Sequence, residues 1–310
     1  PLGGGTGAWQ SPAVPTRMHD DEVEIDEALV RRLLAAQFPE LGSLPLVRVE
    51  PWGTDHAIWR LGEELVLRLP RIHWATAQVE LEHTWLPRLG PFLPVAVPEP
   101  VAVGAPSEGY PYHWALHRWL PGRPADPGPI TDRLGFALAV AEVVAALRRC
   151  PTAGAPSARG RARPVQDYDD ETRRAIRSAG HLIDADAATA VWEEALTATP
   201  HRHDPVWVHG DLEGNCLLGD RGLAGIVDWG SACVGDPAVD VQVVWSPLFT
   251  PESRDAFVDA LSIDDATLAR SRGMAVQQAA AALPYYLGTY PLIVERSWHK
   301  LAAIGVGPSS

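Results

Sequence analysis

Two short apolar runs, each ending in a glycine-rich turn that carries an aspartate, constrain the fold of this chain more than any other feature. From 208 to 240 the sequence reads VHGDLEGNCLLGDRGLAGIVDWGSACVGDPAVD. Each run is too short for a stable helix and is bounded by glycine, which predicts strands. The aspartates of His-Gly-Asp and Val-Asp-Trp, Asp211 and Asp228, are therefore expected in loops beside short strands.

The segment before residue 120 alternates apolar and polar residues between turn signals. LVRVEPW, AIWRLG and ELVLRLP predict a three-stranded antiparallel meander, and EPVAVG and YHWALHRWL predict two further strands. Asp26 is expected to open one helix, and WATAQVELEHTWLPRL has the periodicity of another. Residues 18–120 are thus predicted to form a small antiparallel-sheet N-lobe, and residues 1–17 a disordered leader or an artificial remnant.

After residue 120 the pattern becomes mainly helical. PGRPADPGP, residues 121–129, predicts a hinge or linker, and residues 130–310 a larger helical C-lobe. Thr131 is expected to cap a helix whose buried face is read as Leu134, Leu138, Ala141, Val144 and Leu147. The predicted class is α+β and bilobal, with the cleft between the lobes as the default ligand site.

Composition and charge exclude several classes of function. The formal net charge is −13, whereas nucleic-acid binding requires a basic surface. No run of about 18 apolar residues is present, so no membrane span is predicted. The three cysteines are unpatterned and no secretion signal is visible, which favours a reducing, cytoplasmic location.

The two acidic loops carry the residue types that phosphoryl transfer requires. That reaction needs a carboxylate to deprotonate the acceptor hydroxyl, and oxygen ligands for a metal that neutralises phosphate charge. Asp211 is the predicted base, with His209 bracing its loop. Asn215 and Asp228 are the predicted ligands of Mg²⁺.

HGDLEGN, IVDWG and GDPAVD resemble the signature of the aminoglycoside phosphotransferase family over about residues 25–305. The resemblance implies a protein-kinase-like bilobal fold and transfer of phosphate from ATP or GTP to a hydroxyl of a small molecule. An aminoglycoside is the favoured acceptor, and the acidic charge suits a polycation. A macrolide or a metabolite of the choline or homoserine type remains the alternative, as does a regulatory pseudokinase that only binds nucleotide.

The spacing of the catalytic loop departs from the family pattern and leaves two registers open. The usual count from Asp211 places Cys216 at the second metal position, where a thiol is a poor ligand for a hard cation. A loop one residue shorter places Asn215 there and makes Cys216 an inward strand residue. The family interval from Asn215 to Asp228 favours the shorter loop.

The resemblance also implies which residues bind the nucleotide. The only lysine, Lys300, is far from the strand that normally carries one, and Arg68 occupies the matching position. Arginine binds phosphate through two parallel hydrogen bonds. Glu82 is its expected partner, with Glu80 as the competitor.

Further positions complete the predicted nucleotide and acceptor sites. Gly53 and Thr54 occupy the place of the loop that covers the nucleotide. The backbone of Arg118 and Leu120 is expected to meet the base at the hinge. Aromatic residues of the C-terminal helices are the candidates for acceptor binding: Tyr285, Tyr286, Tyr290 and Trp298.

Overall fold

The computed structural model describes residues 21–50, 53–158, 160–201 and 205–309. The predicted leader, 1–17, lies outside these residues. The described chain forms two lobes with separate apolar cores, in agreement with the predicted α+β class.

The N-lobe begins with a helix that covers one face of a sheet. Helix α1 (Glu27–Gln37) starts where the Asp26 carboxylate accepts the backbone N–H of Leu29 at 2.7 Å, the N-cap that the sequence predicted. Its apolar residues recur at helical spacing and are all buried: Leu29, Val30, Leu33 and Leu34.

Five antiparallel strands form the N-lobe sheet: β1 (Leu46–Arg48), β2 (His56–Leu61), β3 (Leu65–Pro70), β4 (Pro100–Gly104) and β5 (Trp114–Arg118). Their order across the sheet is β1-β2-β3-β5-β4. Arg68 of β3 lies opposite Ala115 of β5, and Val66 lies opposite His117. The register therefore brings Arg68 and His117 to neighbouring positions of one sheet.

Helix α2 (Thr76–Leu89) crosses from the N-lobe toward the C-lobe. Leu86 and Leu89 at its end belong to the C-lobe core, whereas Glu82 is buried one turn earlier. A buried carboxylate requires a charged or hydrogen-bonding partner, and Arg68 supplies one to Glu82 at 2.7 Å.

The segment predicted as a hinge contains a short strand. β6 (Arg123–Pro124) pairs with β8 (Cys216–Gly219), with Arg123 opposite Leu218. The linker is therefore hydrogen-bonded to a strand of the C-lobe rather than free between the lobes.

Helix α3 (Arg133–Arg148) corrects two expectations. Its N-cap is Asp132, whose carboxylate accepts the N–H of Gly135 at 2.8 Å, not Thr131. Leu134 and Leu138 are 42% and 44% exposed, because the core-facing stripe runs through other positions of the helix. That stripe consists of Phe136, Ala137, Val140, Ala141, Val143, Val144, Ala146 and Leu147.

The remaining helices enclose two small sheets. β7 (Val206–Val208) pairs with β10 (Cys233–Gly235), and β8 pairs with β9 (Gly222–Ile226). No helix in the described part of the chain is long and apolar enough to cross a membrane. The helices are α4 (Asp169–Ala179), α5 (Ala185–Thr197), α6 (Ala238–Val241), α7 (Pro251–Ala260), α8 (Asp265–Tyr286) and α9 (Pro291–Ala303).

Candidate active site

The loop after β7 is held by one buried carboxylate. Asp240 accepts the backbone N–H of His209 at 2.9 Å and that of Gly210 at 2.8 Å. Gly210 has φ +81°, and a Cβ there would lie 3.0 Å from the Ser231 carbonyl. Both the left-handed backbone and this close approach require glycine. Asp240 thus fixes the backbone of the His-Gly-Asp turn, and Asp211 lines the cleft.

His209 joins the two acidic loops through both of its ring nitrogens. Its Nδ1 accepts the backbone N–H of Asp211 at 3.2 Å, so the proton of the neutral ring lies on Nε2. Nε2 donates to the Val227 carbonyl at 3.1 Å, and burial lowers the pKa of the ring. His209 is fully buried and does not line the cavity, so it braces the loops without reaching a ligand.

Arg68 joins the N-lobe to the second acidic loop. Its Nη1 donates to Glu82 Oε1 at 2.7 Å, and its Nη2 donates to Asp228 Oδ1 at 2.6 Å. Glu82 Oε1 also accepts the backbone N–H of Trp229 at 2.8 Å. The expected Arg68–Glu82 pair is therefore present and extends to Asp228. Glu80 is largely exposed and lies 3.7 Å from His113.

Arg68 and Asp228 stabilise each other's charge, whereas burial outweighs Arg68 at Glu82 and raises the pKa of that carboxyl to about 7. Burial acts to lower the pKa of the Arg68 guanidinium, but the Glu82 and Asp228 carboxylates outweigh it and raise that pKa. Burial acts to raise the pKa of Asp228, but Arg68 outweighs it and lowers that pKa to about 2. Asp228 has φ +58°, a left-handed conformation that is uncommon for a residue other than glycine. Such strain persists where the surrounding contacts hold it, commonly at functional sites.

Asn215 and Cys216 face different environments. The Asn215 side-chain nitrogen donates to the Asp211 carbonyl at 2.7 Å, and the residue lines the cleft. Cys216 is fully buried in the C-lobe core at the start of β8, with its thiol 3.5 Å from the Leu212 carbonyl. Burial raises the pKa of that thiol to about 12, which opposes a metal-binding thiolate. Of the two residues, Asn215 lines the cavity and Cys216 does not.

Arg161 is a site residue that sequence reasoning missed. Its guanidinium lies 2.5 Å from Asp211 Oδ1 and donates to the Gly210 carbonyl at 3.1 Å. Arg161 sits in the loop after α3, where several arginines occur among glycine and proline. No spacing distinguishes it from its neighbours, so only the tertiary structure identifies it.

One cavity of about 1190 Å³ connects these residues. At one end it is an apolar slot, with N-lobe strand residues on one side and Leu217 and Val227 of the C-lobe on the other. Four residues predicted to bind nucleotide line this cavity together with Arg68: Gly53, Thr54, Arg118 and Leu120. These apolar lining residues suit an apolar ring system.

The other end of the cavity is aromatic. Three of the aromatic residues predicted to bind the acceptor line it: Tyr285, Tyr286 and Tyr290. Burial raises the pKa of Tyr286 to about 12. Trp298 instead packs against the C-lobe core and lies outside the lining.

The donor atoms between these two ends fit Mg²⁺. Asp228 supplies a carboxylate and Asn215 an amide, and both are hard oxygen donors. Among the described residues, no cluster of three or more His, Cys, Asp or Glu is placed to hold a metal. Magnesium does not require one, because it is commonly held by one or two protein oxygens together with substrate phosphates and water.

Comparison with known proteins identifies a matching family and similar folds. The model of the phosphotransferase enzyme family matches residues 47–275. No curated protein matches significantly. The structure is similar to the GDP complex of wild-type aminoglycoside 2′-phosphotransferase-IIIa, with a TM-score of 0.70 and 18% identity over 88% of this chain and 99% of that one.

Two macrolide kinases are also similar. Macrolide 2′-phosphotransferase type I gives a TM-score of 0.62 at 24% identity, over 88% of this chain and 97% of that one. Macrolide 2′-phosphotransferase MphH from Brachybacterium faecium gives 0.59 at 23% identity, over 90% and 97%. At these identities the likeness establishes the fold.

Proposed function

Because this chain belongs to the phosphotransferase enzyme family, we propose that it transfers the γ-phosphate of ATP or GTP to a hydroxyl of a small molecule. One observation carries the proposal. Asp211, Asn215, Asp228 and Arg68 converge on a single cavity that has an apolar slot at one end and an aromatic wall at the other. Phosphoryl transfer is catalysed mainly by positioning and charge, and this cavity provides both.

Arg68 is the proposed phosphate-binding cation. Its guanidinium is held by Glu82 and Asp228, so its orientation is set before a nucleotide arrives. Its Nε is buried without a hydrogen-bond partner among the described residues. Gly53 and Thr54 also line the cavity, and their backbone is proposed to approach the phosphates.

Asp211 is the proposed base that accepts the proton of the acceptor hydroxyl. The Arg161 guanidinium neutralises its charge and orients one carboxylate oxygen. Asn215 and Asp228 would hold Mg²⁺, which, when bound, neutralises charge on the transferring phosphate. His209 and Asp240 hold the loop that carries Asp211, and neither residue lines the cavity.

The acceptor is proposed to be a hydroxylated antibiotic. The net charge of −13 suits an aminoglycoside, the acceptor that the sequence favours. The cavity lining gives specific support to a second candidate, a macrolide, because an aromatic wall suits an apolar ring. In addition, three carboxylates that line the cavity are paired with cations of the protein, which makes them poorer partners for the ammonium groups of an aminoglycoside. These pairs are Glu171 with Arg163, Asp211 with Arg161 and Glu213 with Lys300.

A nucleotide-consumption assay tests the proposal. ATP and GTP would each be tested with Mg²⁺ against aminoglycosides, macrolides, choline and homoserine. Asp211→Asn should lower turnover about 10²–10⁴-fold while nucleotide affinity by calorimetry stays unchanged. Binding of nucleotide with no transfer to any acceptor, and no dependence of hydrolysis on Asp211, would favour the regulatory pseudokinase.

A further inference from the structure

Arg296 of α9 is a cation of the cavity lining that has no partner among the described residues. It lies four residues before Lys300, so both side chains are on one face of the helix, and both line the cavity. Lys300 is buried and paired with Glu213, whereas the Arg296 guanidinium forms no hydrogen bond or ion pair within the described chain. Arg296 is only half-buried, and its nitrogens retain surface that a ligand can reach.

The Arg296 guanidinium lies against the loop between Asp211 and Asn215. A Cβ on Gly214 would lie 2.7 Å from Arg296 Nη1, and Gly214 has φ +86°. Glycine therefore permits both the left-handed backbone and the close approach of the guanidinium. Because Gly214 directly precedes Asn215, the positive charge of Arg296 is beside the loop where transfer is proposed to occur.

Arg296 is also close to the aromatic end of the cavity. Burial raises the pKa of Tyr290, and the positive charge of Arg296 acts against that shift. An acceptor that extends from the aromatic end to Asp211 would therefore pass this guanidinium. No carboxylate of the described chain is paired with the guanidinium, so its charge is free to act on the acceptor.

The cavity lining does not share the acidic character of the whole chain. Among the described residues, seven arginine or lysine residues and five aspartate or glutamate residues line the cavity, although the formal net charge is −13. Four of the five carboxylates form ion pairs with cations of the same lining. The fifth, Asp126, belongs to the linker between the lobes. A polycation in this cavity would meet paired carboxylates and one unpaired guanidinium.

From this arrangement we infer that Arg296 selects the acceptor by charge. The guanidinium donates hydrogen bonds to a carbonyl or carboxylate oxygen of the acceptor and repels a molecule that carries several ammonium groups. The acceptor class is thus a hydroxylated molecule that presents carbonyl or carboxylate oxygens and lacks a cluster of amines. This inference rests on the proposed function, because it places the acceptor hydroxyl at Asp211.

Calorimetry with two probes of opposite character tests the inference. Kanamycin is an aminoglycoside with several ammonium groups, and erythromycin is a macrolide whose ring carries carbonyl groups. Arg296→Glu should bind kanamycin about tenfold more tightly than the wild-type chain, because an attraction replaces a repulsion. The same variant should bind erythromycin about fivefold more weakly, because a hydrogen bond is lost. General damage to the fold would not shift the two affinities in opposite directions.

Two control variants separate the local charge from other effects. Arg296→Gln removes the charge but keeps a hydrogen-bond donor, so it should gain part of the kanamycin affinity and retain the erythromycin affinity. Arg221 is exposed in the turn between β8 and β9, outside the cavity lining. Arg221→Glu makes the same change in net charge and should alter neither affinity.

The outcomes distinguish the inference from the proposed function. An Arg296→Glu variant that gains no more kanamycin affinity than Arg221→Glu would overturn the inference, as would a wild-type chain that binds kanamycin more tightly than erythromycin. Transfer of phosphate to either compound would then keep the proposed function in place. Opposite shifts in affinity without transfer to any acceptor would instead overturn the proposed function and retain the charge selection by Arg296.

Discussion

Lys300 of α9 forms an ion pair with Glu213 of the catalytic loop, with 2.7 Å between Nζ and Oε2. The two side chains are only 8% and 14% exposed. This contact ties α9, whose N-cap is Tyr290 of the aromatic wall, to the loop that carries Asp211 and Asn215. The only lysine of the chain therefore supports this loop instead of pairing with Glu82, whose partner is Arg68.

Lys300→Met should destabilise the fold and lower kcat. Removing one partner of a buried pair leaves the other charge uncompensated, which costs about 3–5 kcal/mol. Urea denaturation measures the loss of stability. Lys300→Met combined with Glu213→Gln should recover part of it, because no lone charge remains. Equal stability of the single and double variants would show that the pair is not coupled.

Arg68→Ala should raise the nucleotide KM more than the acceptor KM. The substitution removes the proposed phosphate ligand and leaves Glu82 and Asp228 as an uncompensated carboxylate pair. Arg68→Lys should be milder, because the charge is kept although the bidentate geometry is lost. Steady-state kinetics with both substrates varied measures the split. An unchanged nucleotide KM in both variants would show that Arg68 does not bind the phosphates.

Asn215→Ala should lower kcat sharply, whereas Cys216→Ser should leave turnover largely unchanged. The amide lines the cleft and the thiol lies in the core. A hydroxyl in that apolar site should cost about 1–3 kcal/mol of stability. Turnover with Mg²⁺ and Mn²⁺ gives the comparison. An inactive Cys216→Ser beside an active Asn215→Ala would require the longer loop register.

Stability should fall as the pH is lowered below neutrality, in part because of His56. Burial and the nearby Arg68 lower its pKa from 6.5 to about 3. Between these values the unfolded chain takes up a proton that the folded chain does not. Each such histidine therefore makes the unfolding free energy decrease by about 1.4 kcal/mol per pH unit on acidification.

Urea denaturation at pH 7, 6 and 5 tests this dependence. His56→Asn should show a shallower decrease than the wild-type chain, whatever its absolute stability at pH 7. His113 is more exposed, and His113→Asn serves as the matched control with an unchanged slope. Identical slopes for all three proteins would mean that His56 is not buried neutral in solution.

Much of the architecture is encoded locally. Alternation over short segments predicted the five N-lobe strands, and the Asp26 cap and helical periodicity predicted α1. Glycine and aspartate at the ends of two apolar runs predicted the acidic loops. The same local reasoning was wrong about the buried face of α3, because that face depends on which neighbouring elements pack against the helix.

The sequence by itself determined the candidates for the chemistry, since Asp211, Asn215 and Asp228 stand in a recognisable order within one short stretch. Only the tertiary structure decided the partners of these residues. Arg161 meets Asp211 from a distant loop, Arg68 meets Asp228 from the N-lobe sheet, and Lys300 reaches the same loop as Asp211 from the last helix. Such contacts join residues far apart in the chain. Their geometry depends on how helices and strands pack, and no local periodicity or spacing records it.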